Sequence, residues 1–522
     1  MDVLEQNETG QDTSIRCLIR RQGLRTLFSA RYSPLAMSSD YRIDTEKIFR
    51  KHPFAREILD RLSAAGYEAF LIGGIVRDAV RSIIDPSVPF SPHEVDIATS
   101  ALPGEVRRVF PDRPIVGVGE EFGVLVIAAP DSQQYEVATF RTEEEYDGRW
   151  PGKVELVRDL AGDVVRRDLT INGLAATRDG EVIDLVGGID DLKAGVIRAI
   201  GDPRVRFSED YLRMLRTIRF ACRIGGEIAP DTASAIAENA EKIELISWER
   251  IRDELLRTLA TADSARGMEL LDRFGLLSRI LPEVTAMKGV PQPEEYHPEG
   301  DVYVHTLLAM RIADDFVKDP IVKLAVLLHD IGKPRALIRN DGVNMGGHDA
   351  IGARMARKVG IRLRMSKHDI ARLVFLVKNH MRISDFPKMG RGKQVRFLSE
   401  GENQSGESLR QRYPLFFDLL QVVVADCEAC AHKSSGWAPI LRETLRVIDH
   451  MERVCDMKWA RALVDGHMLI ERGAAPGPAL GRALEQVHDR ILAGEVTTQE
   501  EAIAVAMKLL LDDAKGKGDR SS

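Results

Sequence analysis

Residues 67–98 read YEAFLIGGIVRDAVRSIIDPSVPFSPHEVDIA. Tyr67–Ile72 is dense in aromatic and branched apolar side chains and stops at Gly73-Gly74, the signature of a short strand ending in a turn. From Ile75 to Ile84 the apolar residues recur at three and four, which predicts a helix. Val95–Ala98 predicts a second strand. Working outward, Ile48, Phe54, Ile58, Leu59 and Leu62 keep helical spacing across Thr45–Ala65. Downstream, Pro103–Phe110 reads as a helix, and Phe122–Ala129 and Gln134–Phe140 read as strands. Helices alternating with short strands predict an α/β head, over residues 43–202.

The remainder reads as all-α. Helical periodicity fills Pro203–Pro282, then Asp301–His432, then Trp437–Leu511, which contains the loop Gly473–Pro478. Met287–Tyr296, with Pro291 and Pro293, and the polar Gly401–Glu407 read as linkers. The expected domains are an N-terminal extension (1–42), the head (43–202), a helical neck (203–286), a histidine-rich domain (291–435) and a helical tail (436–522). A chain of 522 residues, 44% hydrophobic and 29% charged, has room for several ordinary globular domains. No apolar run approaches the ~18–20 residues of a membrane helix, so no membrane partner is expected. Five cysteines cannot frame a disulfide scaffold of this size, which points to a reducing, cytoplasmic setting. With 73 basic and 80 acidic residues the net charge is −7, against uniform coating of nucleic acid but not against a local basic patch. Residues 13–36 carry five arginines and no acid, behind four acids in residues 1–12. The acidic leader is wrong for an organellar presequence, so a disordered extension is expected there.

Several residue sets in the head point to chemistry. Gly73 and Gly74 let backbone approach a ligand where a helix begins, with Arg77 in its first turn. Glu94 and Asp96 are two apart, so on a strand both carboxylates face one point, an arrangement that calls for a cation. Glu136, in a later strand, is a third candidate. Arg166 and Arg167 followed by Asp168 and Asn172 offer donors for phosphate and acceptors for ribose hydroxyls. Arg213, Arg216 and Arg219 recur every three residues. Asp210 is expected one turn before Arg213 on the same helical face.

The segments LIGGIVRDAV, EVDIATSALP, VATFRTEEEYDGRWP, RRDLTINGLA, DLVGGIDDLKAGVIRAIGDP, RFSEDYLRMLRTIRFA and ERIRDEL follow one another over about residues 55–285. In that order they resemble the class II tRNA nucleotidyltransferase/poly(A) polymerase family. The resemblance implies a DNA polymerase beta-like α+β head, a mixed sheet with helices, followed by a helical neck. It implies that Glu94 and Asp96 hold Mg²⁺, and that Arg167, Asp168 and Asn172 handle ribose and triphosphate. Glu209, Asp210 and Arg213 would choose CTP or ATP without a nucleic-acid template, and Glu249, Arg250 and Glu254 belong to the neck motif. Addition of CCA to tRNA is the expected activity, with CC-only, A-only or poly(A) addition as siblings. An RNA-binding phosphohydrolase with an inactive head is the alternative from another class. Three features depart from the family pattern. Glu94 stands where the family usually has Asp, Asp85–His93 lengthens the spacer, and Leu169 and Gly173 replace the more usual Phe and Ala.

Seven of the 12 histidines lie between His297 and His432. Imidazole and carboxylate suit a divalent transition metal such as Mn²⁺, Ni²⁺ or Zn²⁺. The order of His305, His329-Asp330, His348, His380 and Asp426, with LLHDIGKP and GHDAIGA, resembles the HD phosphohydrolase superfamily. By that match His305, His329, Asp330 and Asp426 hold one metal, and His348 and His380 support a second. Cys427 and Cys430 are expected to be small buried side chains, since no second cysteine pair completes a zinc set. Residues 352–398 carry 13 Lys/Arg against Asp369 and Asp385, an electrostatic footprint for RNA.

Overall fold

The computed structural model describes residues 41–117, 119–146, 151–295, 297–430, 435–453 and 456–518. The arginine-rich stretch 13–36, and with it Cys17, lies outside them, as do Tyr296, His432 and Cys455. The chain divides into two compact units between Ile246 and Ser247. No helix among the described residues is long and apolar enough to cross a membrane.

In the first unit the strands, in chain order, are β1 (Ala69–Ile72), β2 (Asp96–Thr99), β3 (Ile115–Gly117), β4 (Val124–Ala128), β5 (Gln134–Thr139), β6 (Arg141–Tyr146), β7 (Pro151–Leu156), β8 (Leu174–Ala176), β9 (Val182–Asp184) and the two-residue β10 (Val196–Ile197) and β11 (Glu227–Ile228), which pair with each other and put one short strand into the neck expected to be all-α. Among the described residues, seven of them form a mixed sheet in the order β3-β4-β5-β2-β1-β8-β9, and β6 pairs with β7 as a separate hairpin. This is the mixed sheet with helices that the family resemblance implies. The link that matters for function is β2 to β5, parallel, with Asp96 beside Glu136. In β5 the side chains of Tyr135, Val137 and Thr139 point into the core, so Glu136 faces outward with its neighbour Asp96. Ile72, Ala98, Phe140, Val164, Ala175 and Ile200 close the core on one sheet face.

Two helical stretches are broken where the sequence reading runs straight. Thr45–Lys51 and Pro53–Ala64 are separate helices, because Pro53 cannot donate to a preceding turn and bars His52 from helical backbone. Pro203–Glu209 ends at Asp210, whose backbone is extended (φ −154°, ψ 106°), and a new helix runs Leu212–Ile224.

The described part of the second unit is helical. Its centre is Pro320–Leu328, in which Ile321 through Leu328 are all buried, the one charge among them, Lys323, being paired with Asp314 at 2.5 Å. Asp319 caps it, accepting from the backbone N–H of Ile321 at 2.8 Å. Val302–Phe316, Lys367–Asn379 and Pro414–Ala429 pack around it. The helix Pro478–Leu492 begins after the glycine- and proline-bearing loop, and Asp489 in it pairs with Arg396 at 2.7 Å.

Candidate functional site

The head carries a carboxylate cluster at one edge of the β2–β5 pair. Glu94, Asp96 and Glu136 line a cavity of about 620 Å³ together with Lys51, His52 and His93. Strand pairing begins at Asp96, so Glu94 sits in the extended lead-in rather than on the strand itself. Asp96 is raised to about pH 6, first by desolvation from surrounding protein, next by the charge of Glu136, with Arg167 opposing and Glu94 adding. Such crowding of acids is what a divalent cation relieves.

Gly73 precedes the helix Gly74–Ile84 with φ 74°, a left-handed conformation that glycine adopts without strain. A Cβ there would meet Arg167 Nη1 at 3.4 Å. Arg167 donates from Nη2 to Asp163 Oδ2 at 3.0 Å, and Arg166 donates to Asp163 Oδ1 at 2.6 Å. Asp163 is buried. Burial alone would raise its carboxyl, but the two arginines hold it below the usual range. Arg166 also reaches Glu143 at 3.1 Å. Neither Asp163 nor Glu143 stands out in the sequence. The signal, in retrospect, is an acid three and four residues before a paired arginine.

Asp168 accepts from Asn172 Nδ2 at 3.0 Å through Oδ1 and from Arg216 Nε at 2.7 Å through Oδ2. Burial works against its charge, but Arg216 and the hydrogen bonds keep it ionised well below the ordinary carboxylate range. Asn172 in turn accepts from Arg77 Nη1 at 2.6 Å. Arg77 is 2% exposed and lies 4.8 Å from the centre of the Phe220 ring, against which Arg219 also packs at 4.2 Å. The structure therefore brings Gly73, Arg167, Asp168, Asn172 and Arg216 together, with Arg77 and Arg219 behind them in the packed interior.

Asp210 and Arg213 stand differently from the expected shared helix face. Asp210 lies at the break between two helices, where its carboxylate accepts from the Leu212 N–H at 3.1 Å. Arg213 is on the second helix and reaches back across the break. Its guanidinium pairs with Glu209 and donates to the carbonyls of Arg206 and Arg166 at 3.1 and 3.2 Å. Glu209 bridges it to Arg206, 2.8 Å away.

In the second unit His305, His329, Asp330, His348, His380 and Asp426 converge from five helix segments. The rings of His305, His329, His380 and His348 follow one another at centroid spacings of 5.5, 5.4 and 5.2 Å. His329, His348 and His380 each place Nδ1 on the carbonyl three residues earlier, at 2.7, 3.0 and 2.7 Å. A carbonyl only accepts, so each Nδ1 carries the proton and each Nε2 presents its lone pair inward. His329 Nε2 is buried without a hydrogen bond, although Asp330 Oδ2 is 3.2 Å and Asp426 Oδ1 3.7 Å away. Inward lone pairs, buried carboxylates and an orphaned nitrogen fit a divalent cation. Burial pushes His380 down to about 4, so it stays neutral and able to ligate. His329 is also opposed by burial, but Asp330 and Asp426 lift it to about 9, so in metal-free protein its Nε2 is protonated and offers a lone pair only when a cation displaces that proton. One close approach sets this geometry. A Cβ on Gly332 would stand 2.0 Å from the His348 carbonyl oxygen.

The basic run 352–398 is partly neutralised. Arg362 pairs with Glu283, Arg372 with Asp319 and Asp418, Arg391 with Glu443, and Arg396 with Glu485 and Asp489. Arg354, Arg357, Lys358, Lys367, Lys378 and Lys388 are exposed.

Three family models match, in chain order. They are a poly A polymerase head domain over residues 69–198, a probable RNA- and SrmB-binding site of polymerase A over 226–288, and an HD domain over 302–413. A CCA-adding enzyme of Lacticaseibacillus paracasei is 45% identical over 213 residues, 41% of this chain and 51% of the relative. One from Limosilactobacillus reuteri is 39% identical over 266 residues, 50% of this chain and 63% of the relative. The chain thus spans between about half and two thirds of the length of these curated relatives. Among solved structures, the Bacillus stearothermophilus CCA-adding enzyme in complex with CTP aligns with a TM-score of 0.62 and 26% identity, covering 90% of this chain and 99% of that one. The Thermotoga maritima CCA-adding enzyme complexed with tRNA shares the fold, with a TM-score of 0.53 and 18% identity over 90% of this chain and 97% of that one. Head, RNA-binding and HD models matched in succession on one chain, over the mixed sheet and helices just described, show that the chain belongs to the tRNA nucleotidyltransferase/poly(A) polymerase family, in a form that carries an HD domain.

Proposed function

We propose that this chain adds the 3′-terminal CCA of tRNA from CTP and ATP, choosing each nucleotide with protein side chains. The observation that carries the reading is the side-by-side pairing of Asp96 and Glu136 on parallel strands, with Glu94 against them. Glu94 and Asp96 are the residues we assign to Mg²⁺. When bound there, divalent cations neutralise charge on the attacking and leaving oxygens of an in-line transfer. In that transfer the tRNA 3′-hydroxyl oxygen bonds to the α-phosphorus while the α–β bridging bond breaks and pyrophosphate leaves. The chain's own groups position the partners. Gly73 and Gly74 leave room for phosphate, Arg167 is aimed by buried Asp163, and Asp168 is held ionised by Arg216 and Asn172. Ribose hydroxyls are the donors that an ionised, immobilised carboxylate recognises best. Glu209 fixes the Arg213 guanidinium at the helix break, and we assign Asp210 and Arg213 to base choice. The exposed basic residues of 352–398 support tRNA contact, and a tRNA substrate favours work in the cytoplasm.

A second reading applies to the other unit. The inward Nε2 lone pairs of His329, His348 and His380 support a metal-dependent phosphoesterase in the HD domain, with Mn²⁺, Ni²⁺ or Zn²⁺ held by His305, His329, Asp330 and Asp426 and a second ion near His348 and His380. Purified protein given tRNA that lacks its 3′ end, with CTP, ATP or both, tests the main reading. Extension by three nucleotides only when both are present is expected. Extension by C or A alone points to a partial adder, and no extension with persistent phosphoester hydrolysis points to an HD enzyme with an inactive head.

A further inference from the structure

The row of imidazoles does not stop at the HD ligands. His297 lies beyond His305 at a ring spacing of 4.8 Å, and with Glu299 and Cys430 it forms a second group. Within this group one ligand atom from each of His297, Glu299, His305 and Cys430 lies within 4.8 Å of all the others. Glu299 Oε1 is 2.9 Å from His297 Nδ1 and 2.7 Å from His305 Nδ1, and Cys430 Sγ is 3.6 Å from His297 Nδ1. Ligands ~2.0–2.3 Å from a tetrahedral zinc stand roughly 3.3–3.8 Å from each other, so the observed spacings are a slightly contracted form of that shell. From these contacts we propose that His297, Glu299, His305 and Cys430 form a closed zinc site, distinct from the ligand set of the HD centre and sharing His305 with it.

An independent observation points the same way. The Glu299 side chain is 9% exposed, and its Oε2 is buried with no hydrogen-bond partner among the described residues. Both imidazoles use Oε1 and leave Oε2 idle, a state that buried carboxylates rarely keep without a cation or water. The donor set decides the ion. One thiolate and two imidazoles with a carboxylate select a borderline-soft cation and disfavour Mg²⁺ or Ca²⁺. Four protein ligands leave no open position, which makes the site structural rather than hydrolytic. Zinc binding displaces the imidazole Nδ1 protons now shared with Glu299, and the thiol proton of Cys430.

The placement gives the site a purpose. Cys430 closes the helix Pro414–Ala429 one turn after Asp426, so a single helix end serves both centres. His305 turns Nδ1 to Glu299 and Nε2 to Asp426, 3.1 Å away. Pro291, Gln292 and Pro293, which fall in the expected linker Met287–Tyr296, line the cavity of about 530 Å³ over the HD centre together with His297. A zinc ion on His297 and Glu299 pins that wall to the helix that presents Asp426. The inference stands whether or not the HD centre hydrolyses anything.

The test uses full-length protein, stripped of metal and reloaded with zinc or with cobalt(II) as a spectroscopic substitute. A thiolate-to-cobalt charge-transfer band is expected in the wild type. Cys430→Ser is expected to lose the band and one zinc per chain, Cys427→Ser to keep both, and His329→Ala to keep the band while losing metal from the HD centre. Absence of the band in the wild type overturns the proposal without reliance on any variant's folding. Equal zinc content in wild type and folded Cys430→Ser also overturns it, and reduces Glu299 to a hydrogen-bonding partner that orients His305. A band lost in Cys427→Ser but kept in Cys430→Ser overturns the ligand assignment.

Discussion

The Nε2 atoms of His348 and His380 lie 3.2 Å apart, while the Nδ1 proton of each ring is committed to a backbone carbonyl. Two lone pairs at that distance repel unless a proton or a cation lies between them. Burial opposes a proton on His380, pushing it down to about 4, and a cation of the proposed HD centre would relieve the pair. His380→Ala is therefore expected to lower metal affinity of the HD centre by at least ~10-fold, at the lower end of what even outer-shell changes cost. Metal titration by calorimetry measures it. Unchanged affinity and stoichiometry would remove His380 from the site.

The same centre predicts a pH signature in metal-free protein. His329 is raised in the folded state to about 9, so the folded chain holds a proton there that the unfolded chain releases near 6.5. Its contribution is fully present below the unfolded value and is lost as pH rises through about 9. Thermal midpoints of stripped protein should fall from pH 6.5 to 9, and His329→Gln should flatten that limb. A limb of equal slope in the variant would assign it to another group.

For the head, Asp96→Ala is expected to abolish nucleotide incorporation while tRNA binding persists, because charge held at that carboxylate is needed only for the chemistry. Glu94→Asp should keep substantial activity, since Glu94 lies before the paired strand, where a small backbone shift can make up for one methylene. In the folded protein Asp96 titrates near 6, above its ordinary value, so protons compete with Mg²⁺ below that pH. Apparent Mg²⁺ affinity should weaken as pH falls through about 6. Incorporation by Asp96→Ala at near wild-type rate would place the chemistry elsewhere.

Arg213→Ala and Asp210→Ala should relax selection against UTP and GTP by about 1–3 kcal/mol per lost paired contact, roughly ten- to hundredfold. Because Glu209 clamps the Arg213 guanidinium, Glu209→Gln should share the phenotype in weaker form. Competition of all four nucleotides, with tRNA affinity measured alongside, decides it. A loss confined to tRNA affinity would make this break an RNA-binding face.

Asp163→Ala should destabilise the head by about 3–5 kcal/mol, the usual cost of leaving buried charge without its partner. Arg166 retains Glu143, so more of the disturbance falls on Arg167. Urea unfolding monitored on the full chain reads the change. A shift under 1 kcal/mol would show that solvent replaces Asp163 readily.

The strand, glycine turn and helix of residues 67–98 were legible because their hydrophobic period changes abruptly, and the structure places β1, the helix and β2 there. Glu94 and Asp96 were legible as a pair because spacing fixes sidedness, though only Asp96 is on the strand. The break at Asp210 was not legible, since no proline or glycine marks it. Asp163 and Glu299 were invisible for a different reason. Their meaning comes from partners that converge only in the folded chain, as with Cys430 and His297, 133 residues apart.

Gly332 has ordinary helical torsions, φ −79° and ψ −20°, so its backbone would accept alanine without strain. The obstacle is the His348 carbonyl, which leaves no volume for even one carbon. Two residues away on one side is Asp330, and across the contact is His348, so the missing methyl sets how closely these two ligands approach. Every amino acid reachable from glycine by mutation adds at least that carbon. The position is consequently closed to gradual adaptation, and inheritance can alter the spacing of this centre only by rebuilding the turn as a whole.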